Sequence, residues 1–414
     1  MSTTYSFPYN QTLDAFTFTS GGSEYTFIIS SCANGLGAAE IQLTSAASPY
    51  AYSIGLPYNI DAAGASTTAL TFLPGPQGPS TTVPLYFLGG TAANHLQIFN
   101  LTPTAKGGDF AAGNVSASTT LGGIFDTVIA SILYVPSLST VYVAGANGNL
   151  YSYSVSWNGS VPTLTYTNKN TNYSSTTPGI VSLAVSSDNS TLYVTGLSNG
   201  NQLGTFIFNT VAASAGALGS GTLLANTANS VSTALSATGI YTATATGLVY
   251  HDFGSESTAG TSIWSPTNQI IVSLAWSANP NKAANGQYPN GALFIGTFQT
   301  STGESDTQSG SIYTYDPSTG NAPYAWIYNT TFGTPYSLKA DANLNLLVNS
   351  GLTGLYLYGV ANSEVSGLPQ SAQLIPYNAT STTVSDLKTF VTVAKLAYHE
   401  YQVLEGNSNT PAAA

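Results

Sequence analysis

Two stretches, Ser131-Ile-Leu-Tyr-Val-Pro-Ser-Leu-Ser-Thr-Val-Tyr-Val-Ala-Gly145 and Ser182-Leu-Ala-Val-Ser-Ser-Asp-Asn-Ser-Thr-Leu-Tyr-Val-Thr-Gly196, align without a gap. They lie about 51 residues apart, the length of one repeat in a propeller-type array. Each reads as a strand, a polar turn and a second strand ending in glycine. A third strand follows, Leu150-Tyr-Ser-Tyr-Ser-Val155 and Gly204-Thr-Phe-Ile-Phe208, alternating as half-buried strands do.

Looser copies extend the pattern in both directions. Ser232-Thr-Ala-Leu-Ser236 leads to Gly239-Ile-Tyr-Thr-Ala-Thr244 and Gly247-Leu-Val-Tyr-His-Asp-Phe253. Val272-Ser-Leu-Ala-Trp-Ser277 leads to Ala292-Leu-Phe-Ile-Gly-Thr297 and Ser311-Ile-Tyr-Thr-Tyr315. Tyr336-Ser-Leu-Lys339 precedes Leu346-Leu-Val-Asn-Ser-Gly351 and Gly354-Leu-Tyr-Leu-Tyr358. Upstream, Thr68-Ala-Leu-Thr-Phe72 precedes Pro84-Leu-Tyr-Phe-Leu-Gly89 and His95-Leu-Gln-Ile-Phe99. A seventh, less regular unit fits between Tyr25-Thr-Phe-Ile-Ile29 and Ile41-Gln-Leu43.

Three or four strands recurring at this interval predict an all-β chain folded as a seven-bladed β-propeller over residues 1–381. An open stack or two β-sandwiches are the competing arrangements. Each blade hides its faces only against its neighbours, so the ring must close. The expected closure joins Ala15-Phe-Thr-Phe-Thr19 to strands of the last blade near Ala372-Gln-Leu-Ile375. Asn147-Gly148 and Asn199-Gly200 sit between alternating segments, where hairpin turns require positive φ. The insertions Ser277 to Gly291 and Thr300 to Gly310 are expected to project as loops.

The tail differs in kind. After Ser385, a good N-cap residue, apolar side chains fall at Leu387, Phe390, Val391, Ala394, Tyr398, Tyr401 and Leu404. Spacings of three, four and seven predict a C-terminal amphipathic α-helix over 382–406, stopped at Gly406. Residues 407–414 read as a flexible tail. Asp386, Lys388, Lys395, Glu400 and Glu405 concentrate charge on this helix. Its apolar stripe either packs back on the propeller or docks on a partner.

Charge is otherwise scarce: 6% of the 414 residues are Asp, Glu, Lys or Arg, against about 25% in ordinary domains. The six cationic residues are all lysine, and 17 acids set the net charge at −11. Nucleic-acid binding needs cations that displace phosphate counterions, so it is excluded. Nucleotide and phosphosugar enzymes fit poorly without an arginine fork. Disorder is excluded as well, because 43% of the residues are hydrophobic. With carboxylates protonated near pH 2–3, the net charge would reach only about +9. Self-repulsion stays small at either limit, which suits an acidic environment.

The turn copy Ser187-Asp-Asn-Ser-Thr-Leu-Tyr-Val-Thr-Gly196 and its partner Ser139-Thr-Val-Tyr-Val-Ala-Gly145 resemble the YVTN-type β-propeller repeats that recur in archaeal surface proteins. In that family glycine follows the turn acid; here Asn189 stands in its place. The composition resembles that of surface proteins from acidothermophilic archaea and of the virions that infect them. No apolar run reaches the roughly 18 residues of a membrane helix, so no membrane span is expected. The first 30 residues have neither a basic n-region nor an apolar h-region, so no signal peptide is expected.

These features lead to the expectation of a non-enzymatic structural or adhesion protein on an archaeal virion surface, serving capsid decoration or host attachment. Its location would be the virion surface or extracellular space. Expected partners are other virion or surface-layer proteins and host glycans. A cellular S-layer or pilus-associated propeller is one alternative, and a secreted glycan-active propeller enzyme is another.

No catalytic, cofactor or metal site is expected. Gly196-Leu-Ser-Asn-Gly200 matches a nucleophile-elbow pattern but sits between two strands rather than in strand–turn–helix context. His95, His251 and His399 lack metal-ligand spacing. Asp341-Ala-Asn-Leu-Asn345 lacks the glycine and the later Glu of a calcium loop, and Glu304-Ser-Asp306 reads as a solvated turn. Cys32, the single cysteine, reads as a small buried hydrophobe.

Candidate glycan acceptors are Asn10, Asn100, Asn114, Asn158, Asn172, Asn189, Asn329 and Asn378. With about a quarter of the chain Ser or Thr, roughly eight such motifs arise by chance, so only position is informative. Asn158, Asn172 and Asn189 fall in expected turns. Trp326 and Tyr328 are candidates for an exposed aromatic patch.

Overall fold

A computed structural model of the chain describes strands and close turns between residues 13 and 375; residues 1–12, 376–414 and the longer connections lie outside it. The first sheet holds β1 (Leu13–Ser20), β2 (Ser23–Cys32), β3 (Gly35–Ser45) and β4 (Ala51–Ile54) in that order, with β5 (Tyr58–Ile60) also on β3. The second holds β6 (Thr67–Leu73), β7 (Leu85–Thr91), β8 (Leu96–Leu101) and β9 (Ser116–Thr120). The third is β10 (Ile129–Val135), β11 (Thr140–Gly145), β12 (Leu150–Asn158) and β13 (Val161–Asn170).

Four more sheets follow the same order. They are β14 (Ile180–Val185), β15 (Thr191–Leu197), β16 (Leu203–Asn209) and β17 (Thr222–Leu223), then β18 (Ser232–Leu235), β19 (Gly239–Thr244), β20 (Gly247–Asp252) and β21 (Thr261–Trp264). After them come β22 (Gln269–Ser277), β23 (Ala292–Gln299), β24 (Gly310–Tyr315) and β25 (Tyr324–Asn329). The last is β26 (Ser337–Ala340), β27 (Asn345–Asn349), β28 (Leu355–Gly359) and β29 (Gln370–Ile375). Every pairing of the described strands is antiparallel, and all but β3–β5 join chain neighbours, the meander expected from the repeat.

First strands pack on first strands: β6 on β10, then β14, β18, β22 and β26, and β26 on β1, which packs on β6. The succession returns to its start, so the fold is all-β and propeller-like. Closure differs from expectation. β1 is not added to the last sheet; it pairs with β2, placing Ala15 opposite Ile28 and Thr19 opposite Glu24. β29 completes its own sheet on β28. Ser20 stands opposite Ser23, the last pair of this ladder. Pairing between strands adjacent in the chain costs far less closure entropy than a strand exchange across the whole chain.

Alternation explains the packing. All six residues of β11 are buried, because this inner strand has a sheet on each side. Val141 and Val143 pack with Leu88, Ile98 and Tyr151 toward the second sheet. Tyr142 and Ala144 pack with Leu192, Val194 and Phe206 toward the fourth. Each fully buried large side chain contributes about 1.5–3 kcal/mol. Farther out, β12 and β13 recover an exposed–buried alternation at Ser154, Ser156, Thr163 and Thr165.

A small residue recurs where neighbouring sheets come closest. Gly90, Ala144, Thr195, Ala243 and Gly296 stand opposite Ala69, Ser131, Ser182, Ser232 and Ser273 in their hairpins. A Cβ on Gly90 would lie 2.6 Å from the Ile129 Cβ of the next sheet. One on Gly296 would lie 2.9 Å from the Pro335 carbonyl. At Gly90 the space belongs to the neighbouring sheet, while at Gly296 the Ser273 hydroxyl across the hairpin shares it.

The signature turn is held by an acid. The Asp188 carboxylate accepts the Ser186 hydroxyl at 2.5 Å, the Ser190 N–H at 3.0 Å and the Ser190 hydroxyl at 2.8–2.9 Å. Asn189 takes φ = 60°, the left-handed conformation that glycine would otherwise supply and asparagine tolerates. These bonds, the Ser186 hydroxyl foremost, lower the Asp188 pKa to about 2. The folded pKa is depressed, so the contribution is present above the ordinary carboxylate value and lost as pH falls through about 2. An NMR titration of the side-chain carboxyl is therefore expected to show a midpoint near pH 2, moving toward about 4 in Ser186→Ala.

Candidate functional site

An innermost strand offers one edge to its own sheet and the other to the axis, so half its backbone polar groups lack a ladder partner. Side-chain oxygens from adjacent sheets supply some of the missing partners. Asp14 on β1 reaches both neighbours. Its Oδ2 accepts the Phe72 N–H at 2.8 Å and the Thr71 hydroxyl at 3.4 Å, both on β6. Its Oδ1 lies 2.9 Å from the Lys339 Nζ on β26. One carboxylate thereby touches the first strands of the first, second and last sheets.

Lys339 is 47% accessible, whereas Asp14 is 14% accessible. The Asp14 carboxylate holds the Lys339 ammonium above its ordinary pKa, against the opposing effect of desolvation. Both carboxylate oxygens are engaged, so the arrangement acts as a clasp. Among the described residues there is no group of three or more His, Cys, Asp and Glu side chains able to hold a metal ion.

Serine has the corresponding role elsewhere. The Ser232 hydroxyl accepts the Leu274 N–H of the next sheet at 3.2 Å. The Ser273 hydroxyl donates to the Pro335 carbonyl beside β26. Ser131, Ser182, Ser232, Ser273 and Ser337 recur at one point of the first strand, so the repeat itself carried this signal. Asp14 carried none, because it lies in the least regular unit.

The β12–β13 hairpin forms the second surface of interest. Ser154 and Ser156 lie opposite Thr165 and Thr163, and all four are exposed. Val161 is 51% and Tyr166 44% accessible. The Tyr166 ring meets Tyr153 edge-on at 5.8 Å. Lys169 lies 5.3 Å above the Tyr151 ring, and Ser152 and Thr167 join hydroxyls at 2.9 Å. Trp157 anchors the hairpin edge-on to Tyr86 of the second sheet, at 6.2 Å. The surface is rich in hydroxyls and poor in charge.

The expected acceptors are dispersed. Asn158 is exposed at the β12–β13 tip. Asn100 is half-buried in β8, between β7 and β9. Asn189 is half-buried, and its carbonyl accepts the Thr210 hydroxyl. Asn329 ends β25. Asn10, Asn114, Asn172 and Asn378 lie outside the described residues, as does the whole helix carrying Leu387, Phe390, Val391, Ala394, Tyr398, Tyr401 and Leu404.

Other expectations meet different fates. His251 is buried on β20, while His95 and His399 fall outside the description. Gly196 and Leu197 end β15 opposite Gly204 and Leu203 of β16, while Ser198, Asn199 and Gly200 of the serine pattern lie outside the described residues. Tyr324 opens β25 at 45% accessibility; Trp326 and Tyr328 share that strand, their side chains lying outside the description. No described helix is long and apolar enough to cross a membrane.

No protein-family model matches the chain. No curated protein matches it. Among solved structures it is similar to one titled "Crystal Structure of Mitotic Checkpoint Complex", with a TM-score of 0.45 and 10% identity over 78% of this chain and 80% of that one. No functional inference follows from a likeness at that level.

Proposed function

We propose that the chain is a seven-bladed β-propeller carrying a C-terminal helix over 382–406, and that it is a non-enzymatic structural or adhesion protein on the surface of an archaeal virion. The observation that carries this reading is the β12–β13 face, where Ser154, Ser156, Thr163 and Thr165 are exposed beside Val161 and Tyr166. Such a surface keeps its character across pH, because hydroxyls do not titrate in the physiological range. It suits hydrogen bonding and ring stacking to glycans or to neighbouring shell proteins. The Asp14–Lys339 pair supports a structural inner ring, since both oxygens of that carboxylate already have partners.

The apolar stripe Leu387, Phe390, Val391, Ala394, Tyr398, Tyr401 and Leu404 is assigned to docking on a neighbouring shell protein. Mass spectrometry of purified virions against cell envelopes tests the reading. The protein is expected to be enriched in virions at stoichiometric level, and deletion of residues 382–414 is expected to reduce its incorporation at least about tenfold, as loss of a hydrophobic anchor would. Enrichment in envelopes alone would overturn the virion assignment, and full incorporation of the truncated chain would overturn the docking role.

A further inference from the structure

We propose that, of the three sequons with described side chains, Asn158 is the one that carries an N-linked glycan. Asn158-Gly159-Ser160 forms the tip of the β12–β13 hairpin, where Asn158 and Val161 stand opposite each other. The acceptor must be reachable by a transferase, and three observations place this one in the open. Asn158 is exposed. A Cβ built on Gly159 would meet nothing within 4 Å. Gly159 takes φ = 63°, so the backbone turns sharply at the acceptor without resistance from a side chain.

The other sequons with described side chains lack this access. Asn100 sits in a strand paired on both sides, opposite Tyr86 and Ser116, and presenting it would require breaking both ladders. Asn189 lies in the turn held by Asp188. The Ser190 N–H and hydroxyl of its sequon bind that acid, and the Thr191 N–H binds the Ser186 hydroxyl. Asn189 also receives the Thr210 hydroxyl on its carbonyl. A transferase would have to dismantle that turn.

The tip also has a use for a sugar. Val161, directly across from Asn158, is 51% accessible, and cross-strand neighbours lie about 5 Å apart. A glycan on Asn158 would cover this valine and add hydration to a chain with few charges. In the reaction, the Asn158 Nδ2 forms a bond to the anomeric carbon of a sugar carried on a lipid-linked phosphate. The bond from that carbon to the phosphate oxygen breaks, the lipid phosphate leaves, and the amide gives up one proton to a base of the transferase.

This inference adds a modification to the proposed exterior role, and its test is read on the protein itself rather than on particle fractions. Native protein is digested with chymotrypsin and pepsin, since lysines are few, and the peptides are mapped by mass spectrometry. The expected result is a sugar mass on Asn158 in most molecules, with Asn100 and Asn189 bare. Ser160→Ala, made in the native host, is expected to lower the Asn158 occupancy at least about tenfold by removing the sequon hydroxyl. Bare Asn158 in native protein overturns the proposal. So does a sugar confined to Asn100, to Asn189 or to the hairpin hydroxyls.

Discussion

Replacing Asp14 with alanine is expected to destabilise the protein by about 2–3 kcal/mol, the range for hydrogen bonds to charged groups, reduced here for the solvent around the lysine. The substitution removes three interactions together: the Phe72 N–H at 2.8 Å, the Thr71 hydroxyl at 3.4 Å and the Lys339 ammonium at 2.9 Å. It leaves Lys339 without its counter-charge and Phe72 without its acceptor. Because these partners lie on the second and last sheets, the cost falls on the junction that closes the ring. Asp14→Asn keeps an oxygen for Phe72 and is expected to cost about half as much.

Lys339→Met is expected to cost about 1 kcal/mol or less, since the ammonium is 47% accessible. Denaturation midpoints for the two single variants and the double variant would isolate the pair. A loss below about 0.5 kcal/mol in Asp14→Ala would show that the ring closes on apolar packing alone. The Lys339 pKa is raised in the folded protein, so its contribution is complete at neutral pH and disappears as pH rises past the ordinary lysine value.

Phe87→Ala is expected to have a larger effect, about 3–5 kcal/mol. Phe87 is fully buried in β7. Its ring stacks on Phe99 at 5.0 Å with an 11° interplanar angle, and meets Phe72 edge-on at 6.3 Å. Phe72 in turn meets Phe16 of β1 at 6.1 Å. The row therefore runs from the first sheet into the second, beside the Asp14 bond to the Phe72 N–H. Truncation removes the transfer energy of a whole ring, two aromatic contacts worth about 0.5–1.5 kcal/mol each, and leaves a cavity that rigid strands cannot fill. Phe87→Leu keeps most of the volume and should cost far less. Thermal denaturation with near-UV dichroism would measure both, and a loss under about 1 kcal/mol for Phe87→Ala would mean that the row collapses around the gap.

Much of this architecture was legible in the chain. The Tyr-Val-Ala-Gly and Tyr-Val-Thr-Gly endings at 145 and 196 mark second strands, and those strands pair as read, Leu133 with Tyr142 and Ala184 with Tyr193. The units around Ser232, Val272, Tyr336 and Thr68 each became a four-stranded sheet. Local alternation specifies a meander because each hairpin is formed by neighbours in the chain. The serines that open first strands were visible as repeats, yet their bonds to the next sheet were not, since a periodic serine is equally compatible with a solvated edge.

By itself, then, the sequence determined the strand units, their order within each sheet and the low charge of the surface, all of which rest on local spacing and composition. Only the tertiary structure decided how the ring closes and which residues meet there. Pattern placed Ala15–Thr19 on the last sheet; in the structure this segment pairs with β2, and closure passes through Asp14 to Lys339 and Phe72. It likewise decided why Gly90 and Gly296 are small: a Cβ on Gly90 would meet Ile129 of the following sheet, and one on Gly296 would meet the Ser273 hydroxyl across the hairpin and Pro335 beside β26. The reason is common to both. Contacts between residues distant in the chain depend on where whole sheets come to rest, and no local period records that.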